Sequence, residues 1–273
     1  MQTTHKAPAW VSAVAVIPVA LLVGGCCNGM VARIFQTLSV EGLTSPFLGV
    51  SPFELLAVVI GAWLMLAASA ASDSHFGLAE LLMLLVLLVP SSAVAWAATG
   101  VYAAYHIATV RGCSRTGAML FFGLAITALW SSIGIHVLAL PVTMLDARAV
   151  AGLLGVLRDD IVQTGNVVGL ADGHALIVLT ACSSLDGLPK VLLGIAAVAA
   201  FLGPVDARRL SWGAAGAVLV YVVANDVRLA FMTWSGEFYA VVHSPIGANL
   251  FDLFQTALVL WVGSAVSRQG ALP

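Results

Sequence analysis

Three residues between positions 180 and 245 of this 273-residue chain carry side chains that covalent catalysis uses. Cys182 lies in "TACSSLDGLPK", Arg228 in "NDVRLAF" and His243 in "SGEFYAVVHSPIG". A cysteine thiolate is a strong nucleophile, but a free thiol titrates near ~8.5 and needs a neighbouring cation or base at neutral pH. A histidine can take the proton and return it to a leaving amine. An arginine keeps its charge and offers a fork of donors to an oxyanion or a carboxylate.

Each of the three residues also has a purely structural explanation. A lone cysteine at a helix start is usually a small buried apolar side chain. An arginine near a membrane interface can extend its head group into water, and a loop histidine is commonly solvated. An arginine within a span costs about 2.5–3.5 kcal/mol on insertion, so we expect a partner or a function for Arg228. The case for catalysis therefore depends on whether the fold brings the three residues together.

The composition of the chain indicates whether its elements fold in water or in a lipid bilayer. Hydrophobic residues make up 61% of the chain and charged residues only 9%, whereas about a quarter of the residues in a soluble protein are charged. The sequence therefore predicts an integral, polytopic, α-helical membrane protein. The net charge of −2 and the lack of a basic patch argue against a nucleic-acid partner. None of the four cysteines has a metal-ligand spacing such as C-x-x-C, so we expect neither a metal site nor a disulfide framework.

Apolar stretches of about 20 residues predict the membrane spans. They cover roughly 9–27, 51–71, 77–90, 92–110, 117–140, 182–203, 210–233 and 247–266. Four basic clusters lie at Lys6, at Arg111 with Arg115, at 207–209 and at Arg268. Residues 77–110 form either one long bent helix or two short ones. Basic clusters favour the cytoplasmic side, and all four lie there only if the chain crosses the membrane twice within 77–110. We therefore predict about eight spans, an uncleaved first helix and both termini in the cytoplasm.

The segment 142–181 interrupts this apolar pattern and is predicted to lie outside the cytoplasm. Its first half has helical spacing of apolar residues, which is typical of a helix on the membrane surface. Its second half, "NVVGL", "ADG" and "HALIVL", predicts a β-hairpin that leads directly to Cys182. The chain is thus expected to have an N-terminal region of about five spans (1–141), this helix-plus-hairpin insertion (142–181) and a C-terminal three-span region (182–273).

The predicted topology brings the three chemistry-bearing residues to one membrane face. The span that begins at Cys182 runs inward to the basic residues at 207–209, so Cys182 lies at its outer end. The next span runs outward, and Arg228 lies about one and a half turns before its outer end. His243 follows in the next outer loop. Alternation of helix direction alone therefore predicts that a nucleophile, a cation and a base meet at the outer face.

Three short motifs in this region resemble those of the exosortase/archaeosortase family. The stretch "QTGNVVGLADGHALIVLTACSSLDGL" resembles the segment around that family's catalytic cysteine, in which Gly-Asn and a hairpin lead into Ala-Cys-Ser. "NDVR" matches its Asn-x-x-Arg, and "HSPIGANLF" matches its His-x-x-x-Gly followed by an aromatic residue. The motifs occur in the family's order within residues 160–255, whereas the first 140 residues match only as an apolar multi-span region.

This resemblance implies a membrane-embedded cysteine transpeptidase or protease of a prokaryotic inner membrane, with its active site on the extracytoplasmic side. Members process exported proteins that carry a C-terminal sorting signal consisting of a short motif, one transmembrane helix and a basic tail. By position, Cys182 is the nucleophile, His243 the acid and base, and Arg228 the oxyanion or orientation residue. The acceptor is an amine on a glycan or lipid carrier, or else water. No cofactor is expected, because cysteine acyl chemistry needs none.

The matched motifs also mark a set of supporting or substrate-binding residues. They are Ser183, Asp186, Asn225, Gly165, Asn166 and Gly247. Asp186 departs from the family pattern, which commonly has a basic residue at this position, one helical turn from the cysteine. Asp186 and Lys190 are spaced i,i+4 and are expected to pair on one helix face. The reversed charge leaves the nucleophile in place but puts the substrate specificity in doubt.

Two other classes of protein remain as alternatives. A small-solute transporter also holds charged residues in its spans, but transporters tend to show internal repeats and polar groups near the membrane midplane. A membrane scaffold that keeps the family fold without activity is the second alternative. The outer-face clustering and the intact Cys182, Arg228 and His243 favour an enzyme over both.

Overall fold

The structure is a computed structural model that describes residues 11–40, 50–68, 77–171, 173–203 and 206–268. The α-helices are α1 (Val11–Val40), α2 (Pro52–Ala68), α3 (Leu78–Leu87), α4 (Ser92–Thr109), α5 (Gly112–Leu129), α6 (Ile135–Val137), α7 (Ala139–Gly155), α8 (Ser184–Leu202), α9 (Ala207–Trp234), α10 (Gly236–Val242) and α11 (Pro245–Arg268). A π-helical turn at Trp130–Gly134 joins α5 to α6, and a 3₁₀ turn at Thr180–Cys182 precedes α8. The predicted predominance of helix is confirmed.

Five helical stretches in the described residues are long and apolar enough to cross a membrane. They are Val16–Phe35, Gly112–Ile133, Ser184–Leu202, Ala207–Trp234 and Pro245–Ala265. Residues 77–110 hold two separate helices, as predicted, because the chain turns at Pro90, which lacks a backbone N–H donor. The first of these helices, α3, has only ten residues, fewer than a straight crossing requires. The chain is therefore a membrane protein by helix length and composition, and the number of crossings beyond five stays a prediction.

The chain divides into two compact units by its internal contacts. One comprises Met1–Gln36 and Glu54–Leu129, and the other comprises Thr37–Phe53 and Trp130–Pro273. In the first unit, α4 packs against both α3 and α5. Its buried carboxylates have partners, since Glu54 binds Arg33 at 2.7 Å and Glu80 accepts the Tyr102 hydroxyl at 3.1 Å.

The second unit contains every residue of the predicted catalytic set. Helices α8, α9 and α11 pack against one another around an apolar cluster, and α7 packs against α9 and the sheet. Because α8 and α11 begin at the end of this bundle where α9 finishes, residues near those three helix ends lie together. A second apolar cluster, which includes Val150, Val168 and Leu229, joins α7, the sheet and the end of α9.

A three-stranded antiparallel meander stands where a two-stranded hairpin was predicted. The strands are β1 (Ile161–Thr164), β2 (Val167–Leu170) and β3 (Ala175–Ile177), in the order β1-β2-β3. The β2–β3 pairing confirms the predicted hairpin. Strand β1 is additional, and Thr164 pairs with Val167 across a two-residue turn. Gly165 opens this turn at φ 61°, a left-handed conformation that glycine adopts without a steric cost.

Candidate active site

One cavity of about 630 Å³ brings together the side chains of the predicted catalytic trio. Cys182 ends the 3₁₀ turn before α8, Arg228 lies in the last two turns of α9, and His243 caps the short α10 before α11. All three residues line the cavity. The predicted supporting residues Ser183 and Asn225 line it as well. The structure thus places the trio at one end of the three-helix bundle, as the sequence predicted.

The Cys182 thiol lies between the cavity and the apolar cluster beneath the sheet. The residue is partly buried and packs against that cluster. Burial raises the pKa of the Cys182 thiol, because a thiolate loses solvation there, and the positive charge of Arg228 acts in the opposite direction. Desolvation is the larger of the two effects. The thiol therefore needs a proton acceptor to become a nucleophile at neutral pH.

Arg228 is held between an acidic and an aromatic side chain of α11. Its Nη1 lies 4.0 Å from Asp252 Oδ1, and its guanidinium carbon lies 5.2 Å from the centre of the Phe251 ring. The side chain is only 15% exposed, and its buried Nε has no hydrogen-bond partner in the part of the chain that the structure describes. A buried cation with an unused donor is suited to an anionic or developing oxyanionic group in the cavity.

His243 is exposed at the cavity and held from one side. Its ring stacks on Tyr239 with centroids 5.0 Å apart and an interplanar angle of 23°. Its backbone N–H donates to the Tyr239 carbonyl at 2.8 Å. Gly247 packs directly against the Val241 carbonyl on the inner side of the α10–α11 turn, so a side chain at 247 would collide with backbone. An exposed, stacked imidazole of this kind can exchange protons with solvent or with a bound group.

The backbone around Cys182 has its N–H donors already engaged. The Cys182 and Ser183 N–H groups bond to the carbonyls of Leu179 and Thr180. The Ser184 N–H donates to Asp146 Oδ2 at 3.1 Å, and the Leu185 N–H donates to the Ser183 hydroxyl at 3.2 Å. An oxyanion formed next to the thiol therefore cannot draw on these four amides, whereas the Arg228 side chain, which lines the same cavity, is a suitable donor.

A pair of charges lines the cavity one to two turns along α8 from the nucleophile. Lys190 Nζ lies 2.7 Å from Asp186 Oδ2, and both residues line the cavity. The predicted i,i+4 pair is confirmed. Because the pair neutralises itself, Asp186 does not present an unpaired negative charge to a ligand.

Three of the predicted supporting residues lie outside the cavity lining. Gly165 and Asn166 form the β1–β2 turn, where the Asn166 amide donates to the Val178 carbonyl at 3.0 Å and ties the first turn to the strand leading into Cys182. Gly247 supports the turn that carries His243. The structure thus gives these residues places in the scaffold around the site.

Sequence reasoning missed three residues that surround the trio. Tyr221 and Asp252 line the cavity, and Asp146 bonds to the backbone beside Cys182. An acidic residue within an apolar span, such as Asp252, is by default a functional candidate, and this signal was present in the sequence. In the described residues, no group of three or more His, Cys, Asp or Glu side chains is arranged to hold a metal ion.

No family model, curated protein or solved structure matches this chain.

Proposed function

We propose that this chain is a cysteine transpeptidase or protease of the exosortase/archaeosortase type. It cleaves C-terminal sorting signals of exported proteins at the extracytoplasmic face of a prokaryotic inner membrane, which it crosses about eight times. The observation that carries the proposal is the convergence of Cys182, Arg228 and His243 on one cavity at the same end of three packed helices. The order of the three motifs along the chain gives independent support.

The first half of the proposed reaction forms a thioester. His243 takes the proton of the Cys182 thiol, and the sulfur attacks the scissile carbonyl carbon of the substrate. The carbonyl electrons move to the oxygen, where the Arg228 guanidinium stabilises the charge. When the tetrahedral intermediate collapses, the C–N bond breaks, and His243 returns the proton to the leaving amine. The substrate's C-terminal helix is released, and its remaining part stays attached to Cys182.

The second half of the reaction releases the product. An amine on a glycan or lipid carrier, or a water molecule, attacks the thioester carbonyl while His243 accepts its proton. The C–S bond then breaks, and the Cys182 thiolate recovers the proton from His243. Attack by an amine gives transpeptidation and attack by water gives proteolysis. No cofactor is required in either case.

The proposal is tested by comparing cells that carry wild type with cells that carry Cys182→Ala. The readout is the intact C-terminal mass of membrane and surface proteins that have a single C-terminal span. We expect some of these proteins to lose that span only with wild type, because acyl transfer requires the thiol. Identical C-termini in both strains, with both variants well expressed, would overturn the assignment and favour a transporter or a scaffold. Solute flux into vesicles then distinguishes those two.

A further inference from the structure

The carboxylate of Asp146 contacts the backbone that carries the candidate nucleophile. Asp146 lies on α7, 38 residues before Ser184, and is only 8% exposed. Its Oδ2 accepts the backbone N–H of Ser184, the first residue of α8, at 3.1 Å. Burial raises the pKa of Asp146, while hydrogen bonds from Ser183 and Ser184 act in the opposite direction. A buried carboxylate at a helix N-terminus is well placed, since it pairs with an amide that has no helical partner.

Asn225 holds the same segment from a second helix, α9. Its side-chain amide donates to the Cys182 carbonyl at 2.9 Å and to the Ser184 hydroxyl at 3.1 Å. Asn225 is 4% exposed and lies on α9, one turn before Arg228. The Cys182 carbonyl and Ser184 are thus held by one side chain from α7 and one from α9.

Two backbone groups of the Cys182 segment, the Cys182 carbonyl and the Ser184 N–H, have these side chains as partners instead of helical backbone groups. Cys182 lies in a short 3₁₀ turn, and Ser183 is extended at φ −75° and ψ 139°. The Cys182 carbonyl precedes α8 and accepts its hydrogen bond from the Asn225 side-chain amide. Removing either partner leaves a backbone N–H or C=O group of the segment without its hydrogen bond, and the segment then opens more often.

We propose that Asp146 and Asn225 act as positioning residues that hold the Cys182 thiol at the wall of the cavity. This pair, together with Ser184, is called the nucleophile clamp. Its catalytic meaning rests on the proposed function, but its effect on the thiol can be measured without a substrate. Asp146 belongs to none of the three motifs, so the clamp extends the site to α7.

The test uses the full-length chain with Cys26→Ala, Cys27→Ala and Cys113→Ala, which leaves Cys182 as the sole cysteine. The readout is the rate of Cys182 alkylation by iodoacetamide, taken at high pH where the thiol is ionised. We expect Asp146→Ala and Asn225→Ala each to raise this rate about tenfold, the size expected when one buried hydrogen bond is lost and the segment opens more often. Asp146→Asn keeps an oxygen acceptor for the Ser184 N–H and should stay within about twofold of the parent. The double variant should raise the alkylation rate by less than the product of the two single increases, because both changes release the same segment.

The matched control is Thr143→Ala, one turn from Asp146 on α7. Thr143 is 3% exposed, and its hydroxyl bonds within its own helix to the carbonyls of Ala139 and Leu140. This variant loosens α7 without touching the clamp, so its alkylation rate should match the parent. An equal increase in Thr143→Ala would show general loosening and overturn the proposal.

Two further outcomes would also overturn the clamp. One is an unchanged rate in a folded Asp146→Ala chain, and the other is an increase in Asp146→Asn as large as in Asp146→Ala. If Asp146→Ala does not accumulate, Asn225→Asp serves instead, because it keeps the size of the side chain but deprives the Cys182 carbonyl of its donor. A failure of the proposed function is detected by a different measurement. It would leave substrate C-termini identical in wild-type and Cys182→Ala cells, and it would not change the alkylation rates of the clamp variants.

Discussion

At the residue scale, the reactivity of Cys182 reflects a balance between burial and one cation. Burial raises the pKa of the thiol, and Arg228 limits that rise. The same guanidinium has an unused buried Nε and only a distant acidic neighbour at 4.0 Å. Arg228 can therefore serve two steps, by favouring the thiolate before attack and by stabilising the oxyanion after it.

Replacement of Arg228 by glutamine should make Cys182 less reactive near neutral pH. Loss of the cation moves the thiol pKa further upward, so the pH midpoint of alkylation rises and the rate at neutral pH falls about tenfold for each unit of the increase. The measurement is the pH profile of alkylation in the chain with Cys182 as sole cysteine. Arg228→Lys keeps the charge and should show a smaller rise.

The control for this prediction is Arg158→Gln. Arg158 pairs with Asp160 at 2.8 Å and does not line the cavity, so its loss should leave the midpoint in place. An unchanged midpoint in Arg228→Gln would show that the guanidinium does not act on the thiol.

At the element scale, the site is built from helix ends and the short connections between them. The 3₁₀ turn before α8 carries Cys182, and the tight α10–α11 turn carries His243. That turn leaves no room for a side chain at Gly247, whose N–H donates to the Ser244 hydroxyl at 3.0 Å. The position of the histidine thus depends on the backbone of one turn.

Gly247→Ala should displace His243 and destabilise the second unit. The added methyl group collides with the Val241 carbonyl, a backbone atom that cannot rotate away, and overpacking of this kind costs about 1–3 kcal/mol. We expect a lower thermal unfolding midpoint in detergent and reduced release of substrate C-terminal spans in cells. Gly216→Ala on α9 is the control, because its methyl group meets only a Val262 side chain at 3.5 Å. Equal effects of the two changes would contradict the special role of the α10–α11 turn.

At the scale of the whole molecule, the surface of the long helices is suited to lipid. Large apolar side chains such as Trp212, Phe254 and Trp261 are more than half exposed. In water such a surface would drive association, whereas acyl chains solvate it without cost. Each unit therefore packs its own interior and leaves its apolar exterior to the bilayer.

Two native cysteines provide a test of the predicted topology. Cys113 lies between Arg111 and Arg115 in a predicted cytoplasmic cluster, and Cys182 lies at the predicted outer face. A membrane-impermeant maleimide applied to intact cells should label a chain whose sole cysteine is Cys182. It should label a Cys113-only chain only after the cells are opened. Labelling of Cys113 in intact cells, with Cys182 protected until lysis, would invert the orientation and place the cavity in the cytoplasm.

The sequence by itself determined the membrane character, the predominance of helix and the end of the bundle at which the trio meets. The fraction of charged residues is too low for a soluble protein, and consecutive spans must alternate in direction, so Cys182, Arg228 and His243 had to approach one face. The hairpin leading into Cys182 followed from local turn chemistry. Strand β1 was missed, although the Gly165–Asn166 pair is itself a turn signal.

Only the tertiary structure decided which side chains surround the trio. Asp252 beside Arg228 and Asp146 beside Ser184 are contacts between residues 24 and 38 positions apart, and each depends on how one helix is rotated against another. In a soluble helix a one-sided apolar stripe predicts that rotation. Helix α9 is apolar around its circumference, with exposed Val223 and Phe231 as well as buried Ala217 and Leu229. Because lipid and protein interior select the same residue types, the rotation of such a helix is fixed by packing and polar contacts alone.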